Sequence, residues 1–243
     1  MVKLLGMKFT KKTTEECASM ICEWMEENQK TKHIITANPE MVMRARREAE
    51  FKSIVAEADL VTPDGIGVVI ASRIRKEPLR ERVAGIDLIE TLLTLRETRK
   101  METRVYLLGA KEPVTEKAAA ALKERYSYVR LVGSHHGFFG ANEERGIVED
   151  IATASPHLLL VALGSPKQEA FISAYKKEWQ PLVAIGCGGT LDVLAGEVKR
   201  APLWVQRMGC EWLFRLGQNP SRWRRQLDLF RFLFLVVTRR HSS

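Results

Sequence analysis

Three short segments of the chain carry side chains that could transfer a proton or hold an anion. Asp64, in Pro63-Asp64-Gly65, is a carboxylate that could act as a general base, although this tripeptide is also an ordinary turn or helix cap. Arg82 could neutralise an anionic ligand or be a solvated charge. Gln168 and Glu169 could contact a sugar or phosphate, or simply favour the first turn of a helix.

A glycine-rich segment, Gly186-Cys187-Gly188-Gly189-Thr190, is typical of a turn that cradles phosphate before a helix. It departs from the dinucleotide fingerprint because Leu191 stands at the position of the last glycine, and it lacks the Gly-Lys-Ser/Thr of a P-loop. A tight strand-to-helix turn is the structural alternative.

The sequence favours chemistry without a metal or cofactor. His135 and His136 are adjacent on a predicted strand, where their rings should point to opposite faces, and no Asp-x-Asp is present. The four cysteines show no zinc-site spacing and are expected to be free thiols in a reducing cytosol.

Short apolar strands alternate with helices, which predicts an α/β fold: a Rossmann-like, mostly parallel sheet with helices on both faces. Ligands bind such sheets beyond the carboxyl ends of the strands. We therefore expect one cleft to be lined by the segments that follow the strands. These are residues 36–40, 62–65, 109–111, 134–138, 164–169 and 186–192.

The positive charge is concentrated near the end of the chain. The formal net charge is +8, and residues 196–243 supply +7 of it from ten Lys or Arg and three acids. Trp223, Leu227, Phe230, Phe234 and Val237 recur at helical spacing and predict one apolar face. We divide the chain into a catalytic α/β domain, residues 1–195, and a basic amphipathic C-terminal helical appendage, residues 196–243.

Arginines beside large apolar side chains indicate a helix lying on an anionic membrane surface rather than on nucleic acid. An appendage that covers a patch of the body or joins copies into a homo-oligomer is the alternative. No apolar run is long enough to cross a bilayer and no signal peptide is evident, so we expect a cytoplasmic protein peripheral on the inner face of the cell membrane.

Taken in order, segments across nearly the whole chain resemble the WecG/TagA/CpsF glycosyltransferase family. The matching stretches are Thr36–Glu40, Pro63–Gly67, Glu81–Gly85, Leu107–Ala110, His135–Phe138, Leu163–Glu169, Gly186–Pro202 and Glu211-Trp212 with the arginines that follow.

The resemblance implies an inverting, metal-independent transfer from a UDP-sugar donor to a polyprenyl-diphosphate-linked acceptor. The length and the arginine-bearing tail are most similar to the TagA-like branch, which moves N-acetylmannosamine onto N-acetylglucosamine of undecaprenyl diphosphate in wall teichoic acid synthesis. The WecG-like branch uses the uronic acid form of the sugar, so that donor is the alternative.

The resemblance also implies roles for individual residues. Asp64 matches the proposed general base, and Thr36, Asn38, Arg82 and Gln168 match positions proposed to contact substrates. Tail arginines thought to complete the active site are matched by Arg215, Arg222 and Arg225. From strand-end position we assign Gly109, Gly186, Gly188, Gly189 and Asp192 to the nucleotide.

Two other classes of protein remain as alternatives. A nicotinamide-dependent oxidoreductase fits the alternating strands and helices but not the missing glycine fingerprint. A non-enzymatic adaptor for anionic lipid or nucleic acid fits the tail but leaves the polar strand ends unused.

Overall fold

The computed structural model describes residues 1–27, 29–202, 205, 211–218 and 223–238. The strands are β1 (Val2–Leu4), β2 (Met7–Phe9), β3 (Lys32–Ala37), β4 (Leu60–Pro63), β5 (Thr103–Gly109), β6 (Val129–His135), β7 (Leu158–Ala162) and β8 (Val183–Gly186). The helices are α1 (Thr14–Glu27), α2 (Pro39–Arg47), α3 (Ala49–Ala56), α4 (Ile66–Ile74), α5 (Gly85–Thr98), α6 (Glu112–Arg125), α7 (Ala141–Ala154), α8 (Lys167–Tyr175), α9 (Thr190–Leu194), α10 (Glu211–Gln218) and α11 (Trp223–Thr238).

Six strands form one parallel sheet in the order β4-β3-β8-β7-β5-β6, while β1 and β2 form a separate antiparallel hairpin. Strand β7 shows why both faces are covered. Leu158 and Leu160 enter a core with α1, α5, α6 and α9, while Leu159 and Val161 enter a core with α7 and α8. Because successive side chains point to opposite faces, an apolar run requires helices on both sides. The predicted α/β fold is confirmed.

The start of α2 follows from its first residues. Asn38 is the N-cap, and its side-chain oxygen accepts a hydrogen bond from the Met41 N–H at 3.0 Å, with Pro39 in the first turn. The amide oxygen satisfies a backbone donor that has no partner within the helix, and proline loses nothing at this position. This cap fixes where the chain turns after β3.

Helix α11 packs against α2 and α4. Phe232 and Val236 are buried in a core shared with the hairpin. Asp228 accepts hydrogen bonds from both terminal nitrogens of Arg47, at 2.9 and 2.8 Å, and this contact holds the pKa of Asp228 below its ordinary value. A two-point contact fixes both the position and the direction of the helix.

The apolar face predicted for α11 is the one directed outward. Leu227, Phe230, Phe234 and Val237 are all exposed, and the side chain of Trp223 lies outside the described residues. The helix therefore has two apolar faces, one packed on the body and one open, where the sequence pattern indicated a single face. We call the four exposed residues the apolar stripe.

Within the described ranges, no helix has the length and apolar character needed to cross a membrane. Cys17, Cys22 and Cys187 are buried and not disulfide-bonded, which confirms the predicted free thiols at these positions. Cys210 lies outside the described residues.

His33 is a fully buried histidine on β3. Burial, and to a smaller extent Lys176, lower the pKa of His33 to about 3, while Asp59 opposes the shift. In the unfolded chain the pKa of His33 is about 6.5, so the contribution of the neutral ring to the free energy of unfolding is fully present above that pH. This contribution is lost as the pH falls toward 3.

Between pH 7 and pH 5, the wild type should lose about 2 kcal/mol of unfolding free energy through this residue. His33→Leu, which cannot titrate, should not show that loss. Urea unfolding of both proteins at the two pH values measures the difference. Equal pH dependence in the two proteins would mean that His33 does not titrate as the fold requires.

Candidate functional site

The carboxyl ends of the strands are tied to one another along the sheet edge. The Asp64 N–H donates to the Ala37 carbonyl at 2.9 Å, and the Thr36 hydroxyl donates to the Gly186 carbonyl at 3.4 Å. The Cys187 N–H continues the series to the Val161 carbonyl at 2.9 Å. The predicted segments after β4, β3, β8 and β7 therefore form one continuous edge.

Asp64 lies at one end of this edge, between β4 and α4. Gly65 has a φ of 99°, a conformation open to glycine, and so lets the chain turn into α4 immediately after the carboxylate. A Cβ on Gly65 would lie 3.9 Å from the Asn38 Cβ, which places this turn beside the start of α2. Thr36, Asn38 and Asp64 are all half-buried, so a ligand can reach them.

Arg82 is carried by a loop fixed on both sides. On one side, the Val83 N–H donates to the Pro63 carbonyl at 2.9 Å. On the other, a Glu81 carboxylate oxygen accepts hydrogen bonds from the N–H and the hydroxyl of Thr14, both at 2.7 Å. These contacts hold the intervening arginine at the carboxyl end of β4.

The Arg82 guanidinium is surrounded by carboxylates. Its Nη1 donates to Glu211 at 2.5 Å and its Nη2 to Asp87 at 3.4 Å. Burial would lower the pKa of Arg82, but Glu211, Asp64 and Asp87 raise it above its ordinary value. Asp64 and Arg82 therefore interact electrostatically, and the arginine stays charged.

Sequence reasoning did not assign Glu211 and Asp87 to this site. Glu211 is buried and belongs to α10, so it links the C-terminal part of the chain to Arg82 across 129 positions. Asp87 also accepts a hydrogen bond from Arg200. The only available signals were the Glu211-Trp212 match and an acid in the first turn of α5, neither of which names a partner.

Gln168 and Glu169 point into the protein. Gln168 is 5% exposed and Glu169 is fully buried. The Gln168 Oε1 accepts hydrogen bonds from the N–H groups of Gly164 and Gly188, at 3.2 and 3.1 Å, and its Nε2 donates to Glu169 Oε1 at 2.7 Å. In this structure the pair contacts the protein's own strand-end turns.

The glycine segment after β8 is a turn into the short helix α9, which has five residues. Its N–H groups have protein partners at three positions: Cys187 donates to Val161, Gly188 to Gln168 and Thr190 to the Cys187 carbonyl. A nucleotide at Gly186, Gly188 or Gly189 would have to use other groups of this turn. Asp192 lies in the first turn of α9. Its backbone carbonyl accepts hydrogen bonds from the N–H groups of Glu197 and Val198.

Gly109 lies farther along the edge. A Cβ at this position would be 2.5 Å from the Ala162 carbonyl carbon, so only glycine allows β5 to pass this close to the end of β7. Four strand spacings of about 4.8 Å separate β4 from β5, which puts Gly109 about 19 Å from Asp64 along the sheet. The structure thus groups Thr36, Asn38, Asp64 and Arg82, with Gly109 at a distance.

The two histidines at the end of β6, His135 and His136, do not follow the strand rule. Their ring centroids are 4.5 Å apart, and the Phe138 N–H donates to the His136 Nδ1 at 3.3 Å. The prediction of opposite faces is wrong because β6 ends at His135, so alternation no longer applies to His136. In the part of the chain that the structure describes, no group of three His, Cys, Asp or Glu residues is placed to hold a metal ion.

The tail arginines are only partly described. Arg222 lies outside the described residues, and Arg215 and Arg225 are described by their backbone alone, in α10 and α11. Their assigned role therefore stays a prediction.

Two cavities lie away from the carboxyl edge. One of about 690 Å³ is at the amino ends of β5, β7 and β8, where Arg96, Arg104 and His157 are among its lining residues. The other, of about 640 Å³, lies between the hairpin and β4. Neither contains a residue that the sequence assigned to the site.

Comparison with known proteins agrees with this geometry. The model of the Glycosyl transferase WecG/TagA/CpsF family matches residues 2–243. A relative from Bacillus spizizenii is 36% identical over 210 residues, 86% of this chain and 80% of the relative. One from Bacillus subtilis strain 168 is 35% identical over 204 residues, 84% of this chain and 78% of the relative. Both relatives are named N-acetylglucosaminyldiphosphoundecaprenol N-acetyl-beta-D-mannosaminyltransferase.

A match across the whole length, together with polar strand ends gathered at one sheet edge, settles the class. The chain is a glycosyltransferase and belongs to the WecG/TagA/CpsF family.

Proposed function

We propose that the chain transfers N-acetylmannosamine from UDP-N-acetylmannosamine to N-acetylglucosamine linked to undecaprenyl diphosphate, a step of the wall teichoic acid linkage-unit type. The observation that carries the proposal is the meeting of Asp64 and Arg82, from separate loops, at the carboxyl end of β4. One side chain can accept a proton and the other can neutralise a departing diphosphate. The names of the two relatives support this donor and acceptor.

The reaction needs one proton acceptor and one charge stabiliser. Asp64 takes the proton from the acceptor hydroxyl as that oxygen bonds to the anomeric carbon of the donor sugar. The bond from that carbon to the diphosphate breaks, and UDP leaves with the electron pair. Attack on the face opposite the leaving group inverts the anomeric configuration. Arg82 stabilises the charge that develops on UDP, so these steps need no metal.

The spacing of the site residues suggests how the donor lies. The anomeric carbon must be near Asp64 and the diphosphate near Arg82. The nucleoside then extends over the ends of β8, β7 and β5, toward Gly109. A guanidinium has five N–H donors, and Glu211 and Asp87 each accept from one of those of Arg82. The remaining donors can bind a phosphate while the contacts with the two carboxylates are kept.

The acceptor is membrane-linked, and the appendage of residues 196–243 is the part suited to reach it. The apolar stripe on α11 supports a membrane contact, because four large apolar side chains lie exposed on one helix whose other face is docked. The net charge of +7 on residues 196–243 supports binding to an anionic membrane surface. We place the enzyme on the inner face of the cell membrane, with Arg215, Arg222 and Arg225 closing over the acceptor diphosphate.

The test is a donor screen. Purified enzyme is incubated in EDTA with several UDP-sugars and a lipid-diphosphate-linked N-acetylglucosamine acceptor, and UDP release is measured. UDP-N-acetylmannosamine should give the fastest release. Preference for its uronic acid form would move the chain to the alternative donor, and release that requires added magnesium or manganese would contradict the metal-free mechanism.

Asp64→Asn should leave UDP binding nearly intact and lower kcat by roughly 10²–10⁴-fold, because the base is lost while the leaving group is still held. Asp59→Asn is the matched control, since Asp59 precedes β4 and Asp64 follows it. Steady-state kinetics and UDP titration of both variants measure the contrast. An Asp64→Asn turnover within a few-fold of wild type removes Asp64 from the mechanism.

Replacing the four residues of the apolar stripe by Ser should abolish binding to anionic vesicles but keep activity on a soluble short-chain acceptor within a few-fold, because the docked face is untouched. Replacing Arg215, Arg222 and Arg225 by Gln should have the opposite effect: sugar transfer should fall more than vesicle binding. Cosedimentation with vesicles and UDP release give the two readouts. Unchanged vesicle binding by the Ser variant, with loss of self-association instead, would assign the stripe to an oligomer.

A further inference from the structure

Gln168 connects the ends of two neighbouring strands. Its Oε1 receives the N–H of Gly164, after β7, and the N–H of Gly188, after β8. Neither N–H is bonded within a strand or helix, so both backbone donors depend on the same side-chain oxygen. We call Gly164, Gln168, Glu169, Gly186 and Gly188 the glutamine clamp.

Only one orientation of the Gln168 carboxamide satisfies this arrangement. The oxygen must face the two backbone donors, and the NH₂ group must face the Glu169 carboxylate at 2.7 Å. The flipped amide would place its NH₂ against two N–H donors and its oxygen against a carboxylate. Because the two ends of a carboxamide have almost the same shape, hydrogen bonding alone distinguishes these orientations. The two N–H donors fix the oxygen, and Glu169 is the side chain that accepts from the NH₂ group.

Gly186 packs directly against this pair. A Cβ on Gly186 would lie 2.7 Å from Gln168 Nε2 and 3.1 Å from Glu169 Oε1. Glu169 is fully buried, and burial raises its pKa, while the hydrogen bond from Gln168 and the nearby Arg44 oppose this shift. Burying a carboxylate is unfavourable for folding, and an apolar residue of similar size is often neutral or better for stability. At this position the acid supplies the acceptor for the Gln168 Nε2.

We propose that Glu169 is a positioning residue: it orients the Gln168 carboxamide so that the turns after β7 and β8 are held where the donor nucleotide lies. This rests on the proposed function, which places the nucleoside over these strand ends. Glu169 itself touches no substrate. Its removal should weaken donor binding and leave the chemical step at Asp64 nearly unchanged.

Two variants remove the charge of Glu169 and differ in hydrogen bonding. Glu169→Gln keeps an acceptor for the Gln168 Nε2, while Glu169→Leu does not. In Glu169→Leu, amide hydrogen exchange at Gly164 and Gly188 should be roughly 3- to 10-fold faster, the range set by one hydrogen bond. The UDP Kd and the donor KM should rise by a similar factor with kcat within twofold, and Glu169→Gln should stay within twofold of wild type in all three.

Gly186→Ala provides a second test, because its methyl group should displace the Gln168 carboxamide while residue 169 remains Glu. Gly186→Ala should show the same faster exchange and weaker UDP binding, and it can be tested even if Glu169→Leu fails to fold. Exchange and UDP affinity within twofold of wild type in Glu169→Leu would overturn the proposal, as would a Glu169→Gln variant that behaves like Glu169→Leu. Faster exchange with unchanged UDP affinity would overturn the link to the donor. Absence of UDP binding in the wild type would count against the proposed function, and the exchange comparison would still test the clamp.

Discussion

The six strands of the central sheet all run in the same direction, and the positions of the candidate site residues at the strand ends depend on this. Parallel strands require a crossover after each strand, so every carboxyl end is followed by a turn at the same edge. The turns after β4, β3, β8 and β7 are joined by hydrogen bonds that do not belong to the strands themselves. An aspartate, an arginine and the glycine turns, far apart in sequence, thereby share one edge of the sheet.

The C-terminal helices are attached to this edge through charge as well as apolar contact. Glu211 of α10 contacts Arg82 within the site, while Asp228 of α11 is held by Arg47 on the outside of the body. The buried carboxylates need these arginines, because an unpaired buried charge is strongly destabilising. The packing of α10 and the orientation of Arg82 are therefore linked through the Arg82–Glu211 contact.

Local patterns predicted much of the fold and part of the site. Apolar strands such as β7, the Asn38-Pro39 start of α2 and helix α4 from Ile66 to Ile74 follow from sequence because neighbouring residues determine them. Long-range pairing does not follow from neighbouring residues. Nothing near Arg82 indicates Glu211, and nothing near Gln168 indicates that its oxygen accepts a hydrogen bond from Gly188, in the turn after β8. The outward direction of the apolar stripe was equally hidden, because α11 is apolar on two faces. Periodicity identifies a face but not what covers it.

In the proposed mechanism, the carboxyl edge binds the donor with its diphosphate on Arg82 and its sugar toward Asp64. A crystal structure of the chain with UDP would test this binding mode. We expect the diphosphate within hydrogen-bond distance of the Arg82 guanidinium and the uridine over the ends of β8, β7 and β5. UDP bound instead in the cavity at the amino ends of the strands, beside Arg104 and His157, would contradict it.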